Sequence, residues 1–138
     1  MKQTKLKNKK MVVDGIEFDS QAEARRYGQL LLLQKAGEIS DLKIQKAYEL
    51  IPSYYEYVPT GKIYSRGARK GQQEYKRVTV ERSVVYIADF EYKTKDGRTV
   101  VEDVKGYRDP NSATYAKFVL KRKMMLYRYG IRVREVKV

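Results

Sequence analysis

The 138-residue sequence contains neither cysteine nor histidine. Without cysteine the chain can form no disulfide, no thiolate zinc site and no thiol nucleophile. Without histidine it lacks imidazole ligands and the usual general base. Any chemistry in this chain therefore depends on carboxylates, lysine and tyrosine, together with a metal that prefers oxygen ligands if one takes part.

Long apolar runs are also missing from the sequence. No stretch approaches the roughly 18 apolar residues of a membrane-spanning helix. The basic N-terminus, MKQTKLKNKK, is not followed by the apolar core of a signal peptide. These two features predict a cytoplasmic protein with no membrane partner.

Positive charge is abundant. Thirty Lys and Arg face 17 Asp and Glu, which gives a net charge of +13. A polyanion is the natural partner of such a chain, and nucleic acid is the first candidate. The length and the hydrophobic share of 42% suit one domain with one modest core. We expect a flexible basic arm over residues 1–11 and a single domain over 12–138.

Two helices are predicted from their end signals. Ser20 and Glu23 have the spacing of a capping box, and Gly37 is a typical residue just after a helix end. Between Ser112 and Gly130 lies a second amphipathic stretch, with a basic face. The predicted elements are a helix at 21–36, strands at 39–51, 78–92 and 98–105, a helix at 113–129 and a short strand within 131–138.

Residues 54–77 differ in composition from the rest, since tyrosines alternate with glycine, lysine and arginine. The segment is interpreted as an insertion with an irregular strand and an exposed loop at about 61–74. A long loop in so small a domain is more often functional or disordered than structural. Arg69 and Lys70 are candidates for contacting a nucleic-acid backbone.

The turn at Lys95-Asp96-Gly97 decides which acidic side chains share a face, because a shift of one residue moves every side chain to the other side. A two-residue turn places Glu102 on the side of Asp89. A three-residue loop places Asp103 directly across from Asp89, with Lys105 on the same face. Both turns suit Asp-Gly, and the apolar pattern favours the three-residue loop.

Opposed carboxylates repel each other unless a positive charge lies between them. A divalent cation meets this need, and Mg²⁺ typically binds one or two carboxylates together with water and phosphate. Lys105 follows Asp103 by two residues, so its ammonium can hold an attacking water or offset charge on a phosphate. Asp89 and Asp103 are thus candidate metal ligands, and Glu102 replaces Asp103 if the turn has two residues.

The pattern Asp89, then Asp103-Val104-Lys105, resembles the PD-(D/E)xK signature of restriction-endonuclease-like nucleases. Three blocks, GIEFDSQAEARRYGQLLLL, YIADFEY and VVEDVKG, are similar to a family of small phage-borne nucleases described as Holliday-junction-resolvase-like. The resemblance implies an α/β fold of element order αβββαβ, with a mixed central sheet flanked by two helices. It also implies a Mg²⁺ or Mn²⁺ cofactor and a third ligand at Glu23. The capping box is the other interpretation of Glu23, and one side chain can serve in both roles.

The resemblance further implies an endonuclease that acts on branched DNA in phage DNA processing, in the host cytoplasm. Symmetric cutting of a four-way junction needs two sites and therefore a homodimer. Lys117, Lys121 and Arg122 on the basic helix are candidates for contacting DNA phosphates. The rival hypothesis is a basic DNA-binding module or structural DNA-associated protein with a degenerate, non-catalytic nuclease fold.

Overall fold

The computed structural model describes residues 10–105 and 110–138. The described chain divides into two compact units, one formed by residues up to Tyr48 and from Tyr86 onward, the other by Glu49–Val85. Most of the predicted basic arm and part of the predicted loop before Ser112 lie outside the described residues. The elements in chain order are β1 Met11–Val13, β2 Ile16–Phe18, α1 Gln21–Lys35, β3 Ile39–Ile51, β4 Tyr54–Ile63, β5 Gln73–Glu81, β6 Val84–Thr94, β7 Thr99–Val104, α2 Ala113–Tyr129 and β8 Arg134–Val136.

A four-stranded mixed sheet is the centre of the fold, with strand order β3-β6-β7-β8. Strands β6 and β7 pair antiparallel, whereas β7 and β8 pair parallel. The prediction of an α/β chain with a mixed central sheet and two helices is confirmed. The two helices and the four strands of this sheet also follow one another in the predicted order, which is α1, β3, β6, β7, α2 and β8.

Both helices begin and end where the capping signals predict. Ser20 Oγ accepts a hydrogen bond from the Glu23 amide, and Ser112 Oγ accepts one from the Tyr115 amide. Gly130 ends α2 in the left-handed conformation, at φ 68°, which glycine adopts without steric cost. Among the described residues, neither helix has the length and apolarity needed to cross a membrane.

The core forms where α1 packs against the central sheet. Leu30 on α1 and Phe90 on β6 are almost completely buried. The ring of Tyr27 lies 5.0 Å from that of Phe18 and 6.4 Å from that of Phe90. The Asp14-Gly15 turn, with φ of 52° and 76°, joins β1 to β2 in a small hairpin, and Phe18 at the end of β2 is part of this core. The position of α1 on the sheet is thereby determined by aromatic packing.

The second unit is a long antiparallel hairpin, β4 with β5. Two predictions were wrong here: the exposed loop is shorter than 61–74, and the strand predicted over 78–92 is two separate strands. The register of the β4–β5 ladder shifts between Pro59 and Ile63, and Pro59 and Gly61 can be accommodated at such an irregularity. Because these residues interrupt the alternating pattern of a strand, the sequence does not indicate the full length of β4.

Candidate functional site

The turn between β6 and β7 has three residues. Thr94 donates its amide hydrogen to the Arg98 carbonyl at 2.9 Å, and Gly97 has the left-handed φ of 84°. The ladder ends at the pair Phe90–Glu102. Asp89 and Asp103 are the next residues on the two strands, and they are close enough for the charge of Asp103 to act on Asp89. The predicted three-residue loop is therefore confirmed, and with it the register that brings these two acids together.

Glu102 lies on the other face of β7 and is completely buried. Arg26 on α1 binds both of its carboxylate oxygens at 2.7 Å, and the Tyr92 hydroxyl donates a further hydrogen bond. Burial alone raises the pKa of Glu102, but these hydrogen bonds outweigh it and hold the pKa below its usual value. The two-residue turn that would have made Glu102 a fallback ligand is absent.

Asp89 is a half-buried acid just beyond the end of the β6–β7 ladder. Its Oδ2 accepts a hydrogen bond from the Val104 amide at 2.7 Å. Burial, followed by the negative charge of Asp103, raises the pKa of Asp89 from 3.8 to about 7, although the Val104 hydrogen bond opposes the shift. With this pKa, the Asp89 carboxyl is protonated in a substantial fraction of molecules near neutral pH, whereas an ordinary aspartate is ionised.

Asp103 is held by contacts to both of its carboxylate oxygens. Its Oδ1 lies 2.6 Å from Lys105 Nζ, and its Oδ2 accepts a hydrogen bond from the Tyr86 hydroxyl at 2.8 Å. The ammonium of Lys105 in turn lies 3.7 Å from the centre of the Phe118 ring. The cation–π contact and the ion pair together hold the lysine head group beside the two acids.

Glu23 enters the same acidic cluster from the first turn of α1. Its Oε2 is buried and has no hydrogen-bond partner, so this oxygen does not complete a capping box with Ser20. Burial, and then the negative charges of Asp19 and Asp103, raises the pKa of Glu23 above its usual value. We call Glu23, Asp89, Asp103 and Lys105 the acidic cluster.

The donor atoms of the acidic cluster suit a hard divalent cation. All three acids offer carboxylate oxygens, which Mg²⁺ and Mn²⁺ prefer, and the unpartnered Glu23 oxygen is a buried acceptor that a cation would satisfy. Over residues 10–105 and 110–138, no three acidic side chains stand together at the spacing of a metal-ligand set. The three acids therefore suit a divalent cation by the chemistry of their oxygens, whereas their spacing in the described structure is not that of a closed ligand set.

The predicted DNA-contacting residues fall in both units. Lys117 is exposed on α2, and Lys121 is half-buried one turn later. Arg122 lies 3.4 Å from Glu135 on β8, so part of its charge is already balanced. Arg69 and Lys70 are exposed in the loop between β4 and β5, where the Arg69 guanidinium lies 5.9 Å from the centre of the Tyr64 ring.

Residues 3–137 match the family described as "Protein of unknown function (DUF1064)". The chain belongs to this family. Neither the curated proteins nor the solved structures contain a match to it. Since the match spans both units, the β4–β5 hairpin lies within the matched region of this DUF1064 protein.

Three residues next to the acidic cluster were not predicted to lie there. Tyr86 and Phe118 lie among apolar residues in the sequence and are buried, yet they contact Asp103 and Lys105 respectively. Asp19 adds negative charge beside Glu23. In the sequence, the only sign of this proximity is that Asp19 precedes the helix cap at Ser20.

The raised pKa of Asp89 predicts a pH-dependent stability of the metal-free DUF1064 protein. Between pH 3.8 and about 7 the folded chain retains a proton that the unfolded chain releases, so the free energy of unfolding falls as pH rises through this window. Thermal unfolding in EDTA across this range measures the slope. Asp89→Asn is expected to flatten it, whereas Asp14→Asn, in an exposed turn, keeps it. An unchanged slope in Asp89→Asn would contradict the assignment.

The buried, unpartnered oxygen of Glu23 predicts a gain of stability on neutralisation. Glu23→Gln is expected to raise the free energy of unfolding at pH 8 in EDTA by on the order of 1 kcal/mol, because an unpaired carboxylate loses hydration without compensation. Addition of Mn²⁺ is expected to stabilise this variant less than the wild type. Urea denaturation with and without Mn²⁺ checks both effects, with the exposed Glu56→Gln as control. A cap-only role predicts no change in either quantity, since glutamine serves equally in a capping box.

Proposed function

We propose that the protein is a metal-dependent endonuclease that hydrolyses DNA phosphodiester bonds at the acidic cluster. The observation that carries this proposal is the ion pair of Lys105 with Asp103, an acid whose negative charge also raises the pKa values of Asp89 and Glu23. Each of the two raised pKa values in the cluster, those of Asp89 and Glu23, reflects both burial and the neighbouring acids. A chain without histidine or cysteine has few other means of hydrolysing a phosphodiester.

Glu23, Asp89 and Asp103 would hold Mg²⁺ or Mn²⁺, directly or through water. When bound, the ion supplies positive charge that offsets the negative charge developing on the scissile phosphate. Because protons compete with cations for carboxylates, the pKa of Asp89 near 7 makes cation binding weaken below neutral pH. This pH dependence follows from the chain's own residues.

Lys105 and Tyr86 position the reacting groups in this proposal. The ammonium of Lys105 is held between Asp103 and the Phe118 ring, where it can orient an attacking water and neutralise charge on a phosphate oxygen. The Tyr86 hydroxyl fixes the other oxygen of Asp103. Both side chains thus limit the orientations that the Asp103 carboxylate can adopt.

The substrate and the finer fold are inferred from charge and from resemblance. The net charge of +13 and the exposed basic residues of α2 favour a phosphate backbone. The central sheet and its element order are compatible with a restriction-endonuclease-like core. The preference for branched DNA, the homodimer and the role in phage DNA processing rest on the resemblance to junction-resolving nucleases.

Cleavage assays test this proposal. Four-way junction, flap, nicked, single-stranded and linear duplex DNA are incubated with the full chain in Mg²⁺, Mn²⁺ or EDTA. We expect cutting with Mg²⁺ or Mn²⁺, none in EDTA, and the fastest cutting on branched substrates. If DNA is bound but never cut with either ion, the rival hypothesis of a non-catalytic DNA-binding module replaces this one.

A further inference from the structure

One face of the β4–β5 hairpin carries aromatic rings that the fold leaves open. The register pairs Tyr55 with Thr79, Tyr57 with Arg77 and Pro59 with Tyr75, and alternate residues of a strand share a face. Tyr55, Tyr57 and Tyr75 therefore lie on the same side of the hairpin. Their exposed fractions are 39%, 68% and 54%, which is far above those of the core tyrosines. We call this surface the tyrosine face.

A recess of about 500 Å³ continues the tyrosine face toward the hairpin loop. It is lined by three rings and three polar side chains: Tyr57, Tyr64, Arg69, Gln72, Gln73 and Tyr75. Its size falls in the ~300–1,000 Å³ range of small-molecule pockets. Rings that offer flat apolar surface, next to amides that both donate and accept hydrogen bonds, suit a planar heterocycle such as a nucleobase.

The charge around this recess favours a phosphate-linked ligand. From Gly61 to Gln73 the chain carries four basic residues and no acidic one. Two guanidinium groups also lie over tyrosine rings, Arg77 at 4.2 Å from the Tyr55 centre and Arg69 at 5.9 Å from the Tyr64 centre. Alternation of aromatic rings and cations is the arrangement by which proteins hold the bases and the backbone of single strands.

We propose that the tyrosine face binds unpaired nucleotides of DNA, with one base stacking in the recess among Tyr57, Tyr64 and Tyr75. Duplex DNA keeps its base faces stacked on each other, so only an unpaired base can present a face to these rings. The choice of DNA as the nucleic acid rests on the proposed function. Single-stranded gaps, flaps or junction centres would then be recognised by the hairpin, separately from the chemistry of the acidic cluster.

Binding in EDTA tests this inference without any cleavage. The affinities of the wild type and of Tyr57→Leu/Tyr75→Leu are measured by fluorescence anisotropy for a labelled single-stranded oligonucleotide and for the duplex of the same sequence. We expect the double variant to lose about 10-fold or more in single-strand affinity, since each stacked base contributes measurably, and less than about 2-fold in duplex affinity, where stacking is absent. Tyr127→Leu, whose ring is 95% exposed on α2, is the matched control and keeps both affinities.

A tryptophan placed in the recess reports the contact itself. The sequence has no tryptophan, so Tyr57→Trp introduces a single one, which can be excited selectively over tyrosine. Stacking of a base on this ring should quench its fluorescence on addition of single-stranded DNA. Tyr127→Trp should show little quenching. Equal losses for single strand and duplex in the double variant, unchanged single-strand affinity, or an effect only on self-association in size-exclusion chromatography would each overturn the inference. Failure of the wild type to cut DNA would overturn the proposed function alone.

Discussion

Asp103→Asn is expected to lower the rate of Mg²⁺-dependent DNA cleavage by on the order of 10²–10³-fold, the loss typical when one charge-stabilising group is removed from an active site. The substitution preserves the size of the side chain and leaves an oxygen that can accept the Tyr86 hydrogen bond. It removes the charge that faces Lys105 at 2.6 Å. The rate of nicking or cutting under single-turnover conditions is the quantity to compare with that of the wild type.

Two controls separate chemistry from folding and binding in this experiment. Asp96→Asn alters an exposed aspartate in the turn of the same hairpin and is expected to cut at the wild-type rate. DNA affinity of Asp103→Asn in EDTA is expected to be equal to or higher than that of the wild type, because a negative charge is removed. Cleavage by Asp103→Asn within about 3-fold of the wild-type rate would rule out the acidic cluster as the catalytic centre, given the 10² or more expected for a group of this kind.

Arg26→Met is expected to cause the largest loss of stability, about 3–5 kcal/mol, because breaking a buried ion pair strands the remaining charge. Glu102 is completely buried, and the Arg26 side chain is only 17% exposed. Methionine can fill much of the space of the arginine stem but cannot donate hydrogen bonds to the carboxylate. Urea denaturation followed by circular dichroism gives the free energy of unfolding.

The double variant Arg26→Met/Glu102→Leu provides the sharper test of this ion pair. Replacing both charges by apolar groups of similar size is often neutral or stabilising, so we expect the double variant to regain most of the lost stability. Arg25→Met, at the exposed neighbouring position, should change the free energy of unfolding by less than about 0.5 kcal/mol. A double variant no more stable than Arg26→Met would show that Glu102 is not the source of the loss.

Local signals in the sequence were sufficient for the helices and for the hairpin that carries the site. Ser20, Ser112 and Gly130 determine helix ends through hydrogen bonds and backbone conformations only a few residues apart. The Asp96-Gly97 turn limits the register to two choices, and the apolar pattern favours the observed one. Such features depend on neighbouring residues alone, so they can be predicted from a single chain.

Features that depend on distant residues could not be predicted in the same way. Arg26 and Glu102 are 76 positions apart, so no local pattern in the sequence links them. Tyr86 reaches Asp103 across the hairpin, although its strand position is typical of a core residue. The hairpin of β4 and β5 was missed because Pro59, Gly61 and a register shift interrupt its alternating pattern.

The β4–β5 hairpin also affects the order in which the chain can fold. Strands β3 and β6 are neighbours in the central sheet. Along the chain, however, they are separated by the β4–β5 hairpin. The entropic cost of closing a loop rises by about 0.6 kcal/mol for each doubling of its length. A hydrogen bond from the Ser83 amide to Ser53 Oγ, at 3.0 Å, closes the base of the hairpin. If the hairpin forms first, the loop that must close before β3 and β6 can pair is therefore shorter. The intrinsic stability of the hairpin therefore contributes to the rate at which β3 and β6 pair.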